Sequence, residues 1–278
     1  MPTTRRNWNQ NTYNRYIKEG RGSGEGSDYV PWIKVQDFPS KGWSSKTPSW
    51  KTKRVHEFPS NHELRTFYIL EWSDKVIDIR EQYPLIDLER AQRIAREIGI
   101  NYPTDKKSGM PYVLTTDFMI TQNAGGSEEY IARTVKPSSE LAKKTVISKF
   151  EIERRYWKEL NIDWGIITEK EIPLVLANNI RLIHSDYYFE PTEDLTENQM
   201  IAIALELKDR LKRYNSTVVN ITKSLDKDLT LEAGTSLRIF KHLVARKEIL
   251  LNMNVKIDFR KITTWDHQVL NDGQVVSL

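Results

Sequence analysis

Charged side chains stand where apolar ones are expected in residues 111–136, PYVLTTDFMITQNAGGSEEYIARTVK. The stretch predicts two strands joined by a polar turn, with Asp117 inside the first strand and Lys136 near the end of the second. Alternation predicts one face of the first strand with Val113, Thr115, Asp117 and Met119, and another with Leu114, Thr116, Phe118 and Ile120. In the second strand it groups Ile131, Arg133 and Val135 against Ala132, Thr134 and Lys136.

These residue types suit the hydrolysis of a phosphodiester. That reaction uses a metal that neutralises phosphate charge and acidifies a water, and oxygen ligands suit Mg²⁺ or Mn²⁺. A common solution on a mixed sheet combines a helix Glu, a strand Asp and a (D/E)-x-K tripeptide on the neighbouring strand, whose Lys stabilises developing charge. Glu63, Asp117 and Lys136 fill three of these places, but Thr134 stands where the second carboxylate is expected.

Two glutamates on predicted helices are candidates for the same site. Ser60 and Glu63 match the capping box S-x-x-E and predict a helix that runs to about Trp72. A Glu at this position often only caps the backbone, so the spacing alone favours the cap over catalysis. Glu153 lies at the centre of the apolar stripe Val146, Phe150, Trp157 and Leu160 on a long helix, which is predicted from Pro137 with Ser138 or Ser139 as its cap. A buried carboxylate there needs a strand lysine, an arginine or a metal as its partner.

Composition excludes several classes of protein. The 278 residues contain no cysteine, which excludes disulfide scaffolds, cysteine–zinc sites and thiol catalysis. No apolar run approaches the roughly 18 residues that span a membrane, and no signal-peptide pattern opens the sequence, so a cytoplasmic protein is expected. Residues 1–60 hold eleven Lys and Arg against five Asp and Glu, and residues 205–262 hold thirteen against seven. Apart from chance variation, such basic ends indicate contact with a polyanion.

The order of elements predicts an α/β protein. From the capped helix onward it is α-β-α-β-β-α-β, which indicates a mixed sheet flanked by helices over residues 29–185. Residues 1–28 have the composition of a flexible segment. In the basic, Pro-punctuated stretch that follows, Trp32, Trp43 and Trp50 would either stack on nucleic acid or pack against the core.

Residues 186–278 have a different rhythm. Three helices, the third capped by Thr230, and two short strands around residues 252–254 match a winged helix-turn-helix. The third helix carries the basic candidates Arg238, Lys241, His242, Arg246 and Lys247. Because this fold binds DNA and docks proteins about equally often, the sequence leaves both roles open.

Several long runs resemble one known family. IKEGRGSGEGSDYVPWIKVQD, SNHELRTFYILEW with VIDIREQYPL, TTDFMI, VKP and FEIERRYW occur in the order found in TnsA, the endonuclease subunit of a heteromeric cut-and-paste transposase, and span most of residues 17–168. The carboxy-terminal third resembles the family mainly in architecture. The resemblance implies a restriction-endonuclease-like core that cuts the 5′ strands at transposon ends with Mg²⁺, for which Mn²⁺ can substitute. A TnsB-like subunit would cut and join the 3′ ends.

Family roles transfer residue by residue. The resemblance implies Glu63 and Asp117 as metal ligands, the backbone carbonyl of Val135 as a further ligand, and Lys136 as the catalytic lysine. The family has Gln at the position of Thr134, whose shorter side chain is a departure. Thr134 and Glu153 are accessory candidates. The implied partners are transposon-end DNA, the TnsB-like subunit and a TnsC-like AAA+ regulator bound by the carboxy-terminal region, with no membrane; the protein would associate with the nucleoid during transposition.

Three functions remain open at this point. The first is a metal-dependent endonuclease acting on transposon ends. The second is a catalytically silent adaptor that links the transposase to its AAA+ regulator, which Thr134 and the cap-like Glu63 favour. The third is a stand-alone nuclease of the restriction type.

Overall fold

A computed structural model describes residues 8–37, 45–193 and 195–263, together with the backbone of residues 267–269. The chain divides into two compact units, Met1–Ile172 and Pro173–Leu278. The division falls earlier than the predicted boundary after residue 185, because the helix Leu174–His184 packs within the second unit. No helix among the described residues is both long and apolar enough to cross a bilayer.

The first unit is built on a four-stranded mixed sheet. Its elements in chain order are α1 (Gln10–Lys18), β1 (Ser45–Pro48), β2 (Val55–Phe58), α2 (Asn61–Trp72), β3 (Val76–Pro84), α3 (Leu88–Glu97), β4 (Thr115–Ala124), β5 (Ser127–Val135), α4 (Lys144–Glu159) and β6 (Asp163–Ile167). The strand order β3-β4-β5-β6 has two antiparallel pairs followed by the parallel pair β5–β6, and β1 pairs with β2 separately. The predicted order of elements and the mixed sheet are confirmed.

Apolar layers cover the sheet. One core cluster joins the sheet to α3 and α4 and includes Leu85, Ile94, Met119, Ile152 and Trp157. On the side of α2, the ring of Phe58 packs against Phe67 of α2 and Phe118 of β4, with centroid distances of 4.8 and 5.9 Å. These two clusters show which side chains of a strand face α2 and which face α4.

Gln82 interrupts the alternation of β3. Its φ is 50°, in the left-handed region that a residue other than glycine rarely adopts. Glu81 beside it pairs with Arg54 and His56, whereas Tyr83 packs on Trp157 of α4. Neighbours two positions apart therefore contact different layers.

The irregularity extends into β4, which lies opposite. Register pairs Glu81 with Phe118 and Tyr83 with Thr116. Phe118 packs on Phe58, but the hydroxyl of Thr116 donates to Glu153 at 2.7 Å. The predicted common face for Thr116 and Phe118 is therefore wrong, because simple alternation does not continue past the left-handed residue.

The described residues 8–28 contribute to a packed core, in contrast to the flexible segment expected over residues 1–28. Trp8, Tyr16 and Trp32 form a buried aromatic cluster. The glycines of this segment suggest flexibility, but Gly22 has φ 78° and an added Cβ would collide with Pro84. The glycine therefore permits close packing here.

Two hydrogen bonds tie this segment to the irregular part of β3. The Tyr29 hydroxyl donates to the carbonyl of Glu81 at 3.0 Å, and the backbone N–H of Trp32 donates to the carbonyl of Gln82 at 3.3 Å. Trp32 and Trp50 are buried, which supports packing over nucleic-acid stacking; Trp43 lies outside the described residues.

The helix α4 begins later than predicted. Ser138–Ala142 form a short 3-10 helix, and Lys143 occupies the cap position of α4. Ser138 does not cap, because its N–H and hydroxyl both donate to Glu169. Within the stripe, Phe150 and Trp157 are buried, whereas Val146 is half-buried and Leu160 is exposed.

The second unit contains α5 (Leu174–His184), α6 (Glu197–Arg213), α7 (Val218–Asp228), α8 (Thr235–Ala245), β7 (Ile249–Leu251) and β8 (His267–Val269). Thr230 is not the cap of the third helix: it has φ 53°, and Gly234 precedes α8 while Asp226 of α7 accepts from the N–H groups of Gly234 and Ser236.

The predicted pair of strands around residues 252–254 is wrong in its second half. β7 pairs with β8 rather than with residues 255–259. The side chain of Asn179 donates to the carbonyls of Met253 and Val255 and accepts from the N–H of Ile257, so it satisfies backbone groups that a hairpin would have paired.

Removing the Tyr29 hydroxyl should destabilise the first unit. Tyr29→Phe leaves the carbonyl of Glu81 without this donor, and we expect the free energy of unfolding to fall by about 1–2 kcal/mol. Urea unfolding followed by tryptophan fluorescence measures the change. Tyr130→Phe, at an exposed position, is the matched control and should stay within about 0.5 kcal/mol of wild type. Equal stability of both variants would contradict the proposed anchoring.

Candidate active site

Glu63 projects from the first turn of α2. The Ser60 hydroxyl accepts from the Glu63 N–H at 3.2 Å and donates to Glu63 Oε1 at 2.6 Å. Glu63 Oε2 accepts from Gln82 Nε2 at 3.3 Å. The described contacts of the carboxylate thus lead to a hydroxyl and an amide, not to the backbone N–H of Ser60 that a capping box would use. Glu63 is therefore available for a role beyond capping.

Asp117 reaches the same place from β4. Its Oδ2 accepts from the backbone N–H of Val135 at 2.7 Å, and its Oδ1 accepts from Gln82 Nε2 at 3.1 Å. The first bond fixes Asp117 against the end of β5, where Lys136 follows. Lys136 is half-buried, and its N–H donates to the carbonyl of Ile167 at 2.9 Å. Glu63, Asp117 and Lys136 are thus brought together from α2, β4 and the end of β5.

Gln82 was not identified from the sequence, although it joins the two carboxylates. Its Nε2 donates to both, and its Oε1 accepts from the Thr115 hydroxyl at 3.1 Å. Its signal in the sequence is weak, because a Gln in the run VIDIREQYPL matches no catalytic motif. Only the left-handed backbone aims this side chain between a helix and a neighbouring strand.

Burial dominates the electrostatics of the carboxylate pair. It raises the pKa of Glu63 well above its ordinary value, and the negative charge of Asp117 raises it further. Burial likewise raises the pKa of Asp117, while the Val135 N–H and the positive charge of Lys136 act to lower it. Two neighbouring buried carboxylates favour a site that gains a proton or a cation.

Glu153 lies beside this pair but has its own donors. Its Oε1 accepts from the hydroxyls of Thr134 and Thr116 and from the indole N–H of Trp164. These three donors are neutral, so neither the lysine nor the arginine expected as a partner is among the described contacts. Burial raises the pKa of Glu153 to about 7, with a smaller contribution from the charge of Asp117. Thr134 therefore contacts Glu153.

Two carboxylates and one backbone carbonyl are the oxygen donors that this site offers to a hard divalent cation. A larger cluster is not present among the described residues, where no group of three or more His, Asp and Glu side chains is arranged to hold a metal. Glu63 and Asp117 together would supply two carboxylates, to which the Val135 carbonyl can be added. Mg²⁺ is commonly bound by one or two carboxylates, with waters and substrate phosphate completing its shell.

The basic candidates of the second unit converge on one acidic residue. Arg238 and Lys241 of α8 lie 3.5 and 3.4 Å from the carboxylate of Asp186, and His242 Nδ1 lies 3.0 Å from its carbonyl. The helix ends at Ala245, so Arg246 and Lys247 follow it rather than belonging to it. The Arg246 guanidinium stacks over the ring of Tyr187, with its central carbon 4.8 Å from the centroid.

Comparisons with known proteins agree along the chain. The family model described as "TnsA-like endonuclease N terminal" matches residues 73–169, and the model described as "TnsA endonuclease C terminal" matches residues 171–253. The "Transposon Tn7 transposition protein TnsA" of Escherichia coli is 38% identical over 239 residues, which cover 86% of this chain and 85% of that protein. The junction of the two family matches lies close to the division after Ile172.

Glu153→Gln should flatten the pH dependence of stability. The pKa of Glu153 is about 7 in the fold, above its unfolded value of roughly 4.3, so its contribution is present at low pH and is lost as the pH rises through 7. From Glu153 alone, the wild-type free energy of unfolding should therefore fall by about 3 kcal/mol between about pH 4.5 and about pH 8. Urea unfolding in EDTA from pH 4.5 to 8 measures the slope.

Glu151→Gln on the same helix is the control. The pKa of Glu151 is lowered to about 2 by Arg154, so its titration lies below this pH interval and the wild-type slope should persist. A residual slope in Glu153→Gln is expected from Glu63 and Asp117, whose pKa values are also raised. An unchanged slope would contradict the assignment to Glu153.

Proposed function

Because the chain belongs to the TnsA family, we propose that it is a metal-dependent DNA endonuclease that cleaves the 5′ strands at transposon ends within a multi-subunit transposase. The observation that carries this proposal is the pair of buried carboxylates, Glu63 and Asp117, bridged by Gln82 beside Lys136. Endonuclease activity and transposition are the properties named for the matching family models and for the Escherichia coli relative.

In this proposal, Glu63, Asp117 and the Val135 carbonyl hold Mg²⁺, or Mn²⁺ in its place. When bound, the metal lowers the pKa of a water and offsets charge on the phosphate. Asp117 is held for this task by the Val135 N–H at 2.7 Å. The ammonium of Lys136, whose charge acts on both carboxylates, stabilises the negative charge that develops on the phosphoryl oxygens. Hydrolysis forms a phosphorus–oxygen bond to water and breaks the bond to the leaving oxygen, which takes a proton.

Thr134 does not occupy a metal-ligand role in this mechanism. Its hydroxyl donates to Glu153, so we assign both residues to support behind the carboxylate pair. Glu153 holds Thr134 and Thr116 on neighbouring strands, and Thr116 is adjacent to Asp117 in β4. Without the carboxylate of the (D/E)-x-K tripeptide, the site keeps two carboxylates, and water and phosphate would complete more of the metal shell.

For the overall architecture, we propose a restriction-endonuclease-like core followed by a winged-helix unit. Support for the second comes from the succession α6, α7, α8 and the two-stranded sheet β7–β8. We propose that this unit docks a TnsC-like AAA+ regulator and also contacts DNA, while a TnsB-like subunit completes the transposase. The bonds of Arg238 and Lys241 to Asp186 favour docking as the main role, since these cations are already partly neutralised.

The adaptor function remains the second candidate, because Thr134 replaces a carboxylate of the common nuclease pattern and bonds to Glu153. It predicts that the core contributes structure only. Strand-resolved cleavage therefore separates it from the endonuclease. A stand-alone nuclease would instead cut DNA without any partner subunit.

Asp117→Asn should abolish 5′-strand cleavage. The change keeps the volume of the side chain but removes its charge, and the loss of transition-state stabilisation should lower the rate by about 10³-fold or more. The measurement is strand-resolved mapping of cut ends in a reaction reconstituted with the partner subunits, with and without Mg²⁺. Asp163→Asn, at an exposed position paired with Arg133, is the control and should cut normally.

The outcomes distinguish the three functions. Loss of 5′ cleavage with intact assembly supports the endonuclease, and EDTA should reproduce that loss in the wild type. Full 5′ cleavage by both Asp117→Asn and Glu63→Gln would favour the adaptor. Cleavage at a defined sequence by the purified chain alone would favour the stand-alone nuclease.

Arg238→Gln with Lys241→Gln tests the role of α8. If these side chains contact phosphates, the slope of log affinity against log salt should become shallower by up to roughly 2, about one unit per lost contact. Fluorescence anisotropy with a labelled transposon end measures the slope, and pull-down of the AAA+ regulator measures docking. Lys256→Gln, at an exposed site outside α8, is the control. We expect weakened docking with a small change in slope; a change in slope alone would assign α8 to DNA.

A further inference from the structure

Gln82 donates to the oxygen of each carboxylate that does not accept from Ser60 or Val135. Glu63 Oε1 accepts from the Ser60 hydroxyl, and Asp117 Oδ2 accepts from the Val135 N–H. The remaining oxygens, Glu63 Oε2 and Asp117 Oδ1, both accept from Gln82 Nε2, at 3.3 and 3.1 Å. A single amide group therefore sets the separation of the two oxygens.

The orientation of this amide is determined by chemistry. Ionised carboxylates only accept hydrogen bonds, and the NH₂ group faces both Glu63 and Asp117. On the other side, Gln82 Oε1 accepts from the Thr115 hydroxyl at 3.1 Å. A flipped amide would place its oxygen against two carboxylates and lose both bonds to them, although its NH₂ group could still donate to the Thr115 hydroxyl. Because the side chain is 7% exposed, water has little access to replace them.

The backbone at Gln82 is held in place from outside the sheet. A φ of 50° in a residue other than glycine costs on the order of 1–3 kcal/mol and persists only where neighbouring structure enforces it. The Trp32 N–H donates to the Gln82 carbonyl, and the Tyr29 hydroxyl donates to the preceding carbonyl of Glu81. The amino-terminal segment thus supports the conformation that directs Gln82 toward the carboxylates.

We propose that Gln82 is a positioning residue for the metal site: its amide holds Glu63 Oε2 and Asp117 Oδ1 in an arrangement that binds a divalent cation with little rearrangement. This inference rests on the metal-dependent function proposed above. Without the amide, the two buried carboxylates repel each other and separate, and a cation must bring them back together. Loss of the amide should therefore lower the metal affinity more than it lowers the cleavage rate at saturating metal.

Two substitutions separate the amide from the backbone. Gln82→Met keeps the length of the side chain and the backbone strain but cannot donate. Gln82→Asn keeps the amide and tolerates left-handed φ better, but it is one methylene too short to bridge both carboxylates. Gln122→Met makes the same chemical change elsewhere in the sheet, at a residue whose Nε2 bonds to the exposed Glu129.

The experiment is titration of the metal-free full chain with Mn²⁺, followed by calorimetry and by electron paramagnetic resonance. Both Gln82 variants should bind Mn²⁺ about 10- to 100-fold more weakly than wild type, as is typical when a partner of a metal ligand is lost. Gln122→Met should bind as wild type does. In the cleavage reaction, the Mg²⁺ concentration for half-maximal rate should rise by a similar factor, while the rate at saturating Mg²⁺ changes by less than about threefold.

Wild-type affinity in Gln82→Met would overturn the inference and leave the proposed endonuclease intact. Absence of Mn²⁺ binding to wild type would instead overturn the metal-dependent function together with the inference. If circular dichroism shows that the Gln82 variants do not fold, Thr115→Val decides the matter. This variant removes the hydroxyl that donates to the amide oxygen and should weaken Mn²⁺ binding several-fold; unchanged binding would overturn the inference.

Discussion

Repulsion between two buried carboxylates is the constraint around which the first unit is arranged. Glu63 and Asp117 come from different elements, and burial raises the pKa of each. Left alone, such a pair would take up a proton or move apart. The amide of Gln82 bonds to both carboxylates, and the nearby charge of Lys136 acts in the same stabilising direction. The two carboxylates are therefore held near each other by one neutral donor that they share and by one nearby cation, an arrangement that suits the binding of a metal ion.

Distant parts of the chain contribute to this arrangement through the backbone. Ser60 fixes Glu63 at the start of α2, while the end of β5 fixes Asp117 through the Val135 N–H. The amino-terminal segment reaches the site through Trp32, whose N–H binds the Gln82 carbonyl. Behind the pair, Glu153 links hydroxyl groups of β4 and β5. Apart from the Ser60–Glu63 bond, these contacts join residues that are 18 or more positions apart in sequence, so the site depends on the folding of several elements of the first unit.

The sequence predicted the elements better than their irregularities. The mixed sheet and the S-x-x-E start of α2 follow from local periodicity and capping. Gln82 was missed because a left-handed residue inside a strand has no local signature. The same irregularity reversed the expected face of Thr116. The expectation of a flexible amino terminus rested on its glycines, but Gly22 permits close packing on Pro84. The strand expected after β7 does not form over residues 255–259, where the distant side chain of Asn179 bonds to the backbone instead.

The left-handed backbone of Gln82 sets local stability against activity. Glycine would adopt a φ of 50° without steric cost, and asparagine would adopt it more readily than glutamine. Relief of backbone strain alone would therefore favour glycine or asparagine here, although either would lose hydrogen bonds that glutamine makes to the carboxylates. A substitution that relaxes the backbone at this position would, on our proposal, weaken the binding of the metal. Engineering of the chain for stability should accordingly spare Gln82 and look to residues that do not support the carboxylate pair.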